Sequence, residues 1–302
     1  NYYEKALKML EDLYDGNHSS IASSLNNIGV VYNHLGQNKE ALNYYEKTLK
    51  MWEAVYEGNH PDIASSLNNI GNVYYALDQN KEALNYYKRA LKMWEAVYEG
   101  NHPDIATSLN NIGIVYNSLG DHQEALNYHE KALKMREDLY EGNHPNIATS
   151  LNNIGIVYSD LGQKQEALKY YEKAFKMRED LYEGNHPDIA SSFNNIGAVY
   201  SDLGQNKDAL NYYEKALKMR EDLYEGNHPS IATSLNNIGN VYYALGQKQE
   251  ALNYHEKALK MWEDLYKGND SKIKLLKNKI ASLKKEQEEE QNHMQKAGCI
   301  IS

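Results

Sequence analysis

The sequence predicts an all-α protein built as a solenoid of stacked antiparallel helix hairpins, with a further helix capping its C-terminal end. Each repeat contains two blocks in which apolar residues recur at helical spacing, which predicts two helices that pair as a hairpin. A hairpin of this size cannot bury its apolar face alone, so it must stack on its neighbours. One glycine recurs every 42 residues, at Gly29, Gly71, Gly113, Gly155, Gly197 and Gly239. A Gly-Asn-His triplet has the same period, beginning at Gly16, Gly58, Gly100, Gly142, Gly184 and Gly226.

The unit that begins at Pro61 shows how each period divides into two helices. We expect the first helix to start at Pro61, because proline suits the opening turn, with Asp62 near the positive end of the helix. A short turn is predicted near Asp78-Gln79. The second helix is predicted from about Lys81 to Tyr98, and Gly100 is predicted to end it as a left-handed cap.

The repeats also predict how the chain is organised. Residues 1–268 form the solenoid, with an orphan second helix over 1–15 and six full hairpins over 19–268. The opening stretch "NYYEKALKML" matches the middle of a later unit, which indicates a fragment of a longer protein. Residues 269–295 are predicted as a charged helix, and residues 296–302 as a C-terminal tail.

The charged helix has two possible roles. Its apolar residues keep a 3-4-3 spacing, at Ile273, Leu276, Ile280 and Leu283. This spacing fits a helix that caps the last hairpin, and it also fits a short coiled-coil seam. Capping is favoured, because the end of a solenoid needs a polar-backed cover and two heptads are short for a coiled coil.

The motif Leu67-x-x-Ile70-Gly71-x-x-Tyr74, followed by Ala83, Tyr87 and Ala90, resembles the tetratricopeptide repeat signature, with leucine at its usual tryptophan position. The 42-residue length and the stretch "RALKMWEAVYEGNHPDIATSLNNIG" resemble the repeats of kinesin light chains. The resemblance covers about residues 1–268. It implies a right-handed solenoid whose first helices line a concave groove for partner proteins, although one fold can serve many partners.

The groove that this resemblance implies can be mapped with a helical wheel. Each first helix contains two adjacent asparagines, such as Asn68 and Asn69. The first asparagine of each pair should face the groove, where its amide can both donate a hydrogen bond to a peptide backbone and accept one from it. The alternative for these residues is a solvated polar face. The second asparagine should lie at the edge of the packing surface and bond the backbone of a neighbouring helix. The predicted peptide-binding asparagines are Asn26, Asn68, Asn110, Asn152, Asn194 and Asn236.

Two further groove positions differ among the repeats, as a surface that recognises a peptide sequence would require. One position holds Asn72, Ile114, Ile156 and Asn240, and the other holds Asn33, Tyr75, Asn117 and Tyr243. These positions are neutral, which argues against the lysine- and arginine-lined clamps for C-terminal carboxylates found among tetratricopeptide proteins.

Several classes of function are excluded by composition and motif. The formal net charge of −10 argues against a nucleic-acid partner, since such proteins usually carry a basic patch. The histidines of the Gly-Asn-His triplets are predicted to lie in loops, one in each repeat, and are therefore too far apart to bind one metal ion together. Neither a nucleophile elbow nor a phosphate-binding glycine loop nor an HExxH motif occurs. We therefore predict no cofactor, no metal, and no enzymatic activity.

The last four residues match the C-a-a-X prenylation pattern, with the only cysteine, Cys299, at the required position. No second cysteine or basic cluster accompanies it, so a lipid on Cys299 predicts weak, reversible membrane attachment. A lone cysteine also favours a reducing compartment. The predicted localisation is cytoplasmic, with association to a membrane if Cys299 is modified.

The leading functional prediction is a non-enzymatic adaptor that binds an extended peptide or partner segment in the groove and is tethered to a membrane through Cys299. Two alternatives stay open. One is a peptide-sensing regulatory module whose solenoid changes pitch on binding. The other is the targeting region of a larger enzyme whose catalytic domain lies upstream of Asn1.

Overall fold

The computed structural model describes residues 2–266 and 271–301, with side chains through residue 290. Every regular element within these ranges is an α-helix. The helices are α1 (Tyr2–Leu13), α2 (Ser19–His34), α3 (Asn38–Val55), α4 (Pro61–Ala76), α5 (Asn80–Val97), α6 (Pro103–Ser118), α7 (His122–Leu139), α8 (Pro145–Asp160), α9 (Lys164–Leu181), α10 (Pro187–Asp202), α11 (Asn206–Leu223), α12 (Pro229–Ala244), α13 (Lys248–Tyr266) and α14 (Ser271–Ile301).

The helices belong to two compact units, Asn1–Leu161 and Gly162–Ser302. In the first unit α2 and α3, α4 and α5, and α6 and α7 pack as hairpins. The second helix of each of these hairpins packs on the first helix that follows it, up to α8. In the second unit α9 packs on α10, the hairpins are α10 with α11 and α12 with α13, and α14 packs on α13. The predicted all-α stacking of hairpins is confirmed within each unit.

A left-handed residue ends the first helix of each hairpin. Gly36 has φ of +69°, and its N–H donates to the carbonyl of Asn33 at 3.0 Å. The N–H of Gln37 donates to the carbonyl of Tyr32 at 2.9 Å, which completes a Schellman turn. Asp78 takes the same place in the second hairpin with φ of +58°, where a side chain is strained.

The second helix ends differently from the prediction. Helix α5 ends at Val97, and its C-cap Tyr98 is extended, with φ of −109° and ψ of 129°. Gly100 is left-handed, with φ of +85°, but it lies two residues beyond the cap. The prediction that Gly100 caps this helix is therefore wrong, because the chain leaves the helix through an extended tyrosine and Gly100 turns the following loop.

The tyrosine that follows each second helix also supports the start of the next helix. In the first hairpin this residue is Tyr56, the C-cap of α3. The ring of Tyr56 stacks on His60, with ring centroids 3.3 Å apart. His60 is the N-cap of α4, and its Nδ1 accepts a hydrogen bond from the N–H of Asp62 at 3.2 Å. The same cap recurs at His18, His102, His144, His186 and His228. The histidines that the sequence places in loops therefore begin helices, a role more often taken by serine, threonine or aspartate.

The repeated glycine brings the two helices of a hairpin together. A Cβ atom added to Gly71 would lie 2.7 Å from Cε1 of Tyr87, so the tyrosine ring packs directly on the glycine backbone. Ala83 is fully buried in the same hairpin. Only a residue without a side chain allows this approach.

Helix α14 extends the repeat at the C-terminal end. Its four predicted apolar residues, Ile273, Leu276, Ile280 and Leu283, are all buried, and the helix packs on α13. Ile273 and Ile280 stand 126 residues, or three periods, after Ile147 and Ile154 of α8. The capping helix thus occupies the place of a further first helix. It is continuous across residue 295, so no break marks the start of the predicted tail. None of the described helices is both long and apolar enough to cross a membrane.

Candidate peptide-binding face

The predicted site lies on a surface that we call the first-helix face. In the first unit it is formed by the side chains of α2, α4, α6 and α8 at the predicted groove positions, and in the second unit by those of α10 and α12. Each position of the repeat therefore appears as a row of equivalent side chains along the face of one unit. Three rows contain the predicted site residues.

The first row is an asparagine ladder between neighbouring hairpins. The Nδ2 of Asn111 donates to Oδ1 of Asn68 at 3.0 Å. The equivalent bonds join Asn69 to Asn26 at 3.2 Å, Asn153 to Asn110 at 2.9 Å and Asn237 to Asn194 at 2.9 Å. In each bond the second asparagine of one pair donates to the first asparagine of the preceding hairpin. The predicted bond from the second asparagine to a neighbouring backbone is wrong, because the acceptor is a side chain.

This ladder changes the interpretation of the first asparagines. The amide oxygens of four of them, Asn26, Asn68, Asn110 and Asn194, already accept hydrogen bonds, and Asn110 is only 6% exposed. Asn152 and Asn236 are half-buried at the same position of α8 and α12. Where these bonds form, the amide oxygens of the first asparagines are therefore not free to accept hydrogen bonds from a peptide backbone. Peptide contact by these six asparagines stays a prediction, restricted to whatever donor capacity the ladder leaves.

The second row also joins neighbouring first helices. The hydroxyl of Tyr75 lies 3.1 Å from Oγ of Ser118, and Nδ2 of Asn117 donates to Oδ2 of Asp160 at 2.7 Å. In the second unit, the hydroxyl of Tyr243 donates to Glu286 of α14 at 3.5 Å. Asn33 is half-buried at this position of α2. These contacts hold adjacent repeats in register, in the same way as the asparagine ladder.

The third row has a mixed character. Asn72 accepts a hydrogen bond from the hydroxyl of Tyr87 at 2.7 Å, within its own hairpin. Asn240 accepts one from Lys279 of α14. Ile114 and Ile156 are half-buried and apolar. Ile114 of α6 and Ile156 of α8 therefore form an apolar patch on the first-helix face of the first unit.

A cavity of about 220 Å³ opens between α6 and α8 at this patch. Its walls bring together four of the predicted site residues, Tyr75, Ile114, Asn117 and Ile156. Ser118, His129, Asn153 and Val157 complete the lining. We call this the His129 cavity.

The histidine in its wall was not among the predicted site residues. His129 is 1% exposed, and its Nδ1 has no hydrogen-bond partner in the described part of the chain. Burial, with a smaller contribution from the charge of Arg136, lowers the pKa of His129 to about 4. The imidazole is therefore neutral at physiological pH. The available signal was the change from "NYYEK" to "NYHEK" at a position that is tyrosine in four repeats and histidine only at His129 and His255.

Three buried arginines form a further feature of the packing between hairpins. Nη1 of Arg136 donates to the carbonyl of Asn146 at 2.9 Å and to Oγ of Ser150 at 2.7 Å, both in α8. Arg178 and Arg220 make the equivalent bonds in the second unit. Burial lowers the pKa of all three guanidinium groups. Trp94 is buried at the same position one period before Arg136, so arginine replaces apolar packing with hydrogen bonds.

The described residues contain no group of three or more histidine, cysteine, aspartate or glutamate side chains placed to hold a metal ion. The side chain of Cys299, the predicted lipidation site, lies outside the described residues, as does Ser302.

The comparison with known proteins identifies the family of these hairpins. The tetratricopeptide repeat family model matches residues 1–54, 20–96, 62–138, 104–180, 147–222 and 188–264. The chain belongs to the tetratricopeptide repeat family. The matched residues contain every first helix of the chain and both walls of the His129 cavity.

Solved structures show the same fold at low sequence identity. A putative kinesin light chain from Podosopora anserina with nearly identical TPR-like repeats is 22% identical, with a TM-score of 0.57, over 68% of this chain and 98% of that one. BtubC (BKLC) from P. vanneervenii is 20% identical, with a TM-score of 0.59, over 80% and 92%. The apo form of the quorum sensor NprR from B. thuringiensis is 19% identical, with a TM-score of 0.59, over 93% and 81%. No functionally curated protein matches the sequence. The predicted resemblance to kinesin light chain repeats is thus confirmed.

Proposed function

We propose that the chain is a non-enzymatic protein–protein interaction adaptor that binds an extended peptide or partner segment along the first-helix face. The observation that carries this proposal is the His129 cavity, where apolar side chains of two successive first helices meet at a polar rim. A concave apolar site with a few polar groups is typical of ligand recognition. The tetratricopeptide fold is consistent with this role, since such scaffolds commonly bind proteins.

The rows of the face suggest a division of roles. The side chains of the asparagine ladder and of the second row, such as Tyr75 with Ser118, form hydrogen bonds with neighbouring repeats. These bonds make the surface rigid. A rigid site loses less conformational entropy when a ligand binds, which favours affinity. Ile114 and Ile156 then supply the apolar contact, so affinity is centred on the third and fourth first helices.

A pair of charge substitutions tests the proposal. We expect Ile114→Glu/Ile156→Glu to lower binding to an array of immobilised extended peptides to background, because two carboxylates would replace the apolar wall. Leu35→Glu is the matched control, since Leu35 is 65% exposed at the end of α2 and does not line the cavity. Circular dichroism would verify that both variants keep their helices. Equal peptide binding by the wild type and the double variant would refute the proposed site.

We further propose that Cys299 carries a prenyl group in a eukaryotic cell, if Ser302 is the native C-terminus. The C-a-a-X pattern supports this, and the acidic stretch before it predicts reversible attachment in a cytoplasmic protein. Cys299→Ser should move the membrane-bound fraction into the supernatant after ultracentrifugation. Ser302→Leu, which converts the pattern to the geranylgeranyl type, should keep that fraction. An unchanged distribution for Cys299→Ser would exclude the lipid anchor.

A further inference from the structure

The third hairpin differs from the second at two facing positions. In the second hairpin the hydroxyl of Tyr87 donates to Oδ1 of Asn72 at 2.7 Å. One period later the same positions hold His129 and Ile114. An imidazole is shorter than a phenol, and isoleucine cannot accept a hydrogen bond. The third hairpin has therefore lost both a phenol hydroxyl and its acceptor, and the His129 cavity opens beside this place.

The cavity has room for an aromatic ring. Its volume is about 220 Å³. An apolar cavity of roughly 150 Å³ in another protein holds benzene. Ile114, Ile156 and Val157 provide apolar walls on which a ring can pack. A six-membered ring with one polar substituent is therefore a good fit to its volume and lining.

The polar groups of the lining indicate what that substituent is. Tyr75 is bonded to Ser118, and Asn117 to Asp160, so the rim is occupied with its own contacts. Nδ1 of His129 is buried and has no hydrogen-bond partner among the residues that the structure describes. A neutral imidazole nitrogen can donate or accept according to its tautomer. Because it offers no counter-charge, it suits an uncharged hydroxyl better than a carboxylate or an ammonium group.

The last hairpin shows the equivalent place covered by another part of the chain. His255 stands three periods after His129 and is also fully buried. There Lys279 of α14 donates a hydrogen bond to Asn240, the counterpart of Ile114. The capping helix thus sends a side chain to this place from outside the hairpin. In the third hairpin the corresponding space is the open cavity.

We propose that the His129 cavity binds the phenol side chain of a tyrosine in the partner segment, with its ring between Ile114 and Ile156 and its hydroxyl hydrogen-bonded to His129. The proposal rests on the proposed function and specifies the side chain that the first-helix face recognises. In effect, the partner supplies the phenol that Tyr87 supplies in the preceding hairpin.

The test uses p-cresol as the probe and the full chain with labelled isoleucine methyl groups, observed by NMR. We expect saturable shifts at the Ile156 methyl groups. Toluene, which lacks the hydroxyl, should bind about two- to tenfold more weakly, the range expected for one net hydrogen bond. His129→Tyr/Ile114→Asn restores the pair found in the second hairpin and should abolish the shifts. His255→Tyr, the matched substitution in the last hairpin, should leave them unchanged.

Three outcomes would overturn the proposal. Shifts that do not saturate, or that persist in His129→Tyr/Ile114→Asn, would show that the probe does not occupy this cavity. Toluene binding as tightly as p-cresol would show that His129 does not recognise the hydroxyl. Peptides that bind through the first-helix face equally well after replacement of every tyrosine would refute the tyrosine site and leave the adaptor function standing.

Discussion

Replacement of the buried histidine should change how the stability of the protein depends on pH. His129 is 1% exposed, and its pKa falls from 6.5 to about 4 because of burial and the charge of Arg136. Between these pH values the unfolded chain binds a proton on this imidazole and the folded chain does not. Stability therefore falls as pH drops from about 6.5 towards 4, and it is insensitive to this group above about pH 7.

The size of the effect follows from the pKa difference. One pKa unit corresponds to about 1.4 kcal/mol, so His129 alone should cost about 3 kcal/mol of folding free energy near pH 4. His129→Tyr/Ile114→Asn removes the titrating group and keeps the packing pattern of the second hairpin. The carboxylates that also titrate in acid are the same in both proteins, so the difference between them isolates the histidine.

Urea denaturation at neutral pH and at about pH 4.5 measures this difference. We expect the wild type to lose about 2 to 3 kcal/mol more than the variant on acidification. NMR titration of the imidazole gives a second readout, in which His129 should stay neutral down to about pH 5. Parallel loss of stability in both proteins, or an imidazole that titrates near 6.5, would refute the reasoning.

The remaining predictions concern local structure and are measured as free energies of unfolding. Asp78→Gly should raise the free energy of unfolding, measured by urea denaturation, by about 1 kcal/mol, because glycine removes the strain of a side chain at a left-handed position. Gly36→Asp should lower it by a similar amount. An unchanged free energy of unfolding in either variant would contradict this reasoning. Gly71→Ala should cost about 1–3 kcal/mol by overpacking. Gly197→Ala should cost less, since its added Cβ would lie 3.1 Å rather than 2.7 Å from the nearest ring atom, and the reverse order of melting temperatures would refute the close-approach argument. His60→Ala should raise amide exchange in the first turn of α4 and cost about 1 kcal/mol, the usual value of an N-cap.

Local patterns were sufficient for the elements of this fold. Pro61 and the apolar stripe after it predicted a helix that the structure begins at the same residue. The four apolar residues of the C-terminal segment predicted the buried side of α14. The end of the second helix was less accurate, because an extended C-cap such as Tyr98 leaves no glycine signal at the cap itself.

The candidate site was predicted only in part. The variable positions identified Ile114 and Ile156, which do line the cavity. His129 was missed because it lies on a second helix, at a position that is a packing tyrosine in four of the six repeats. The loop histidines were missed as caps for a similar reason, since the stacking of Tyr56 that orients His60 involves a residue from the end of another helix.

The sequence alone determined the repeat, the helices and the residues that face the core, because each of these depends on spacing within a few turns of one chain segment. Only the tertiary structure decided how the polar side chains of the first helices are used. Asn68 and Asn111 are 43 residues apart, and their hydrogen bond exists only because stacking brings neighbouring first helices side by side. A helical wheel gives the direction of a side chain but not the partner that the next repeat places opposite it.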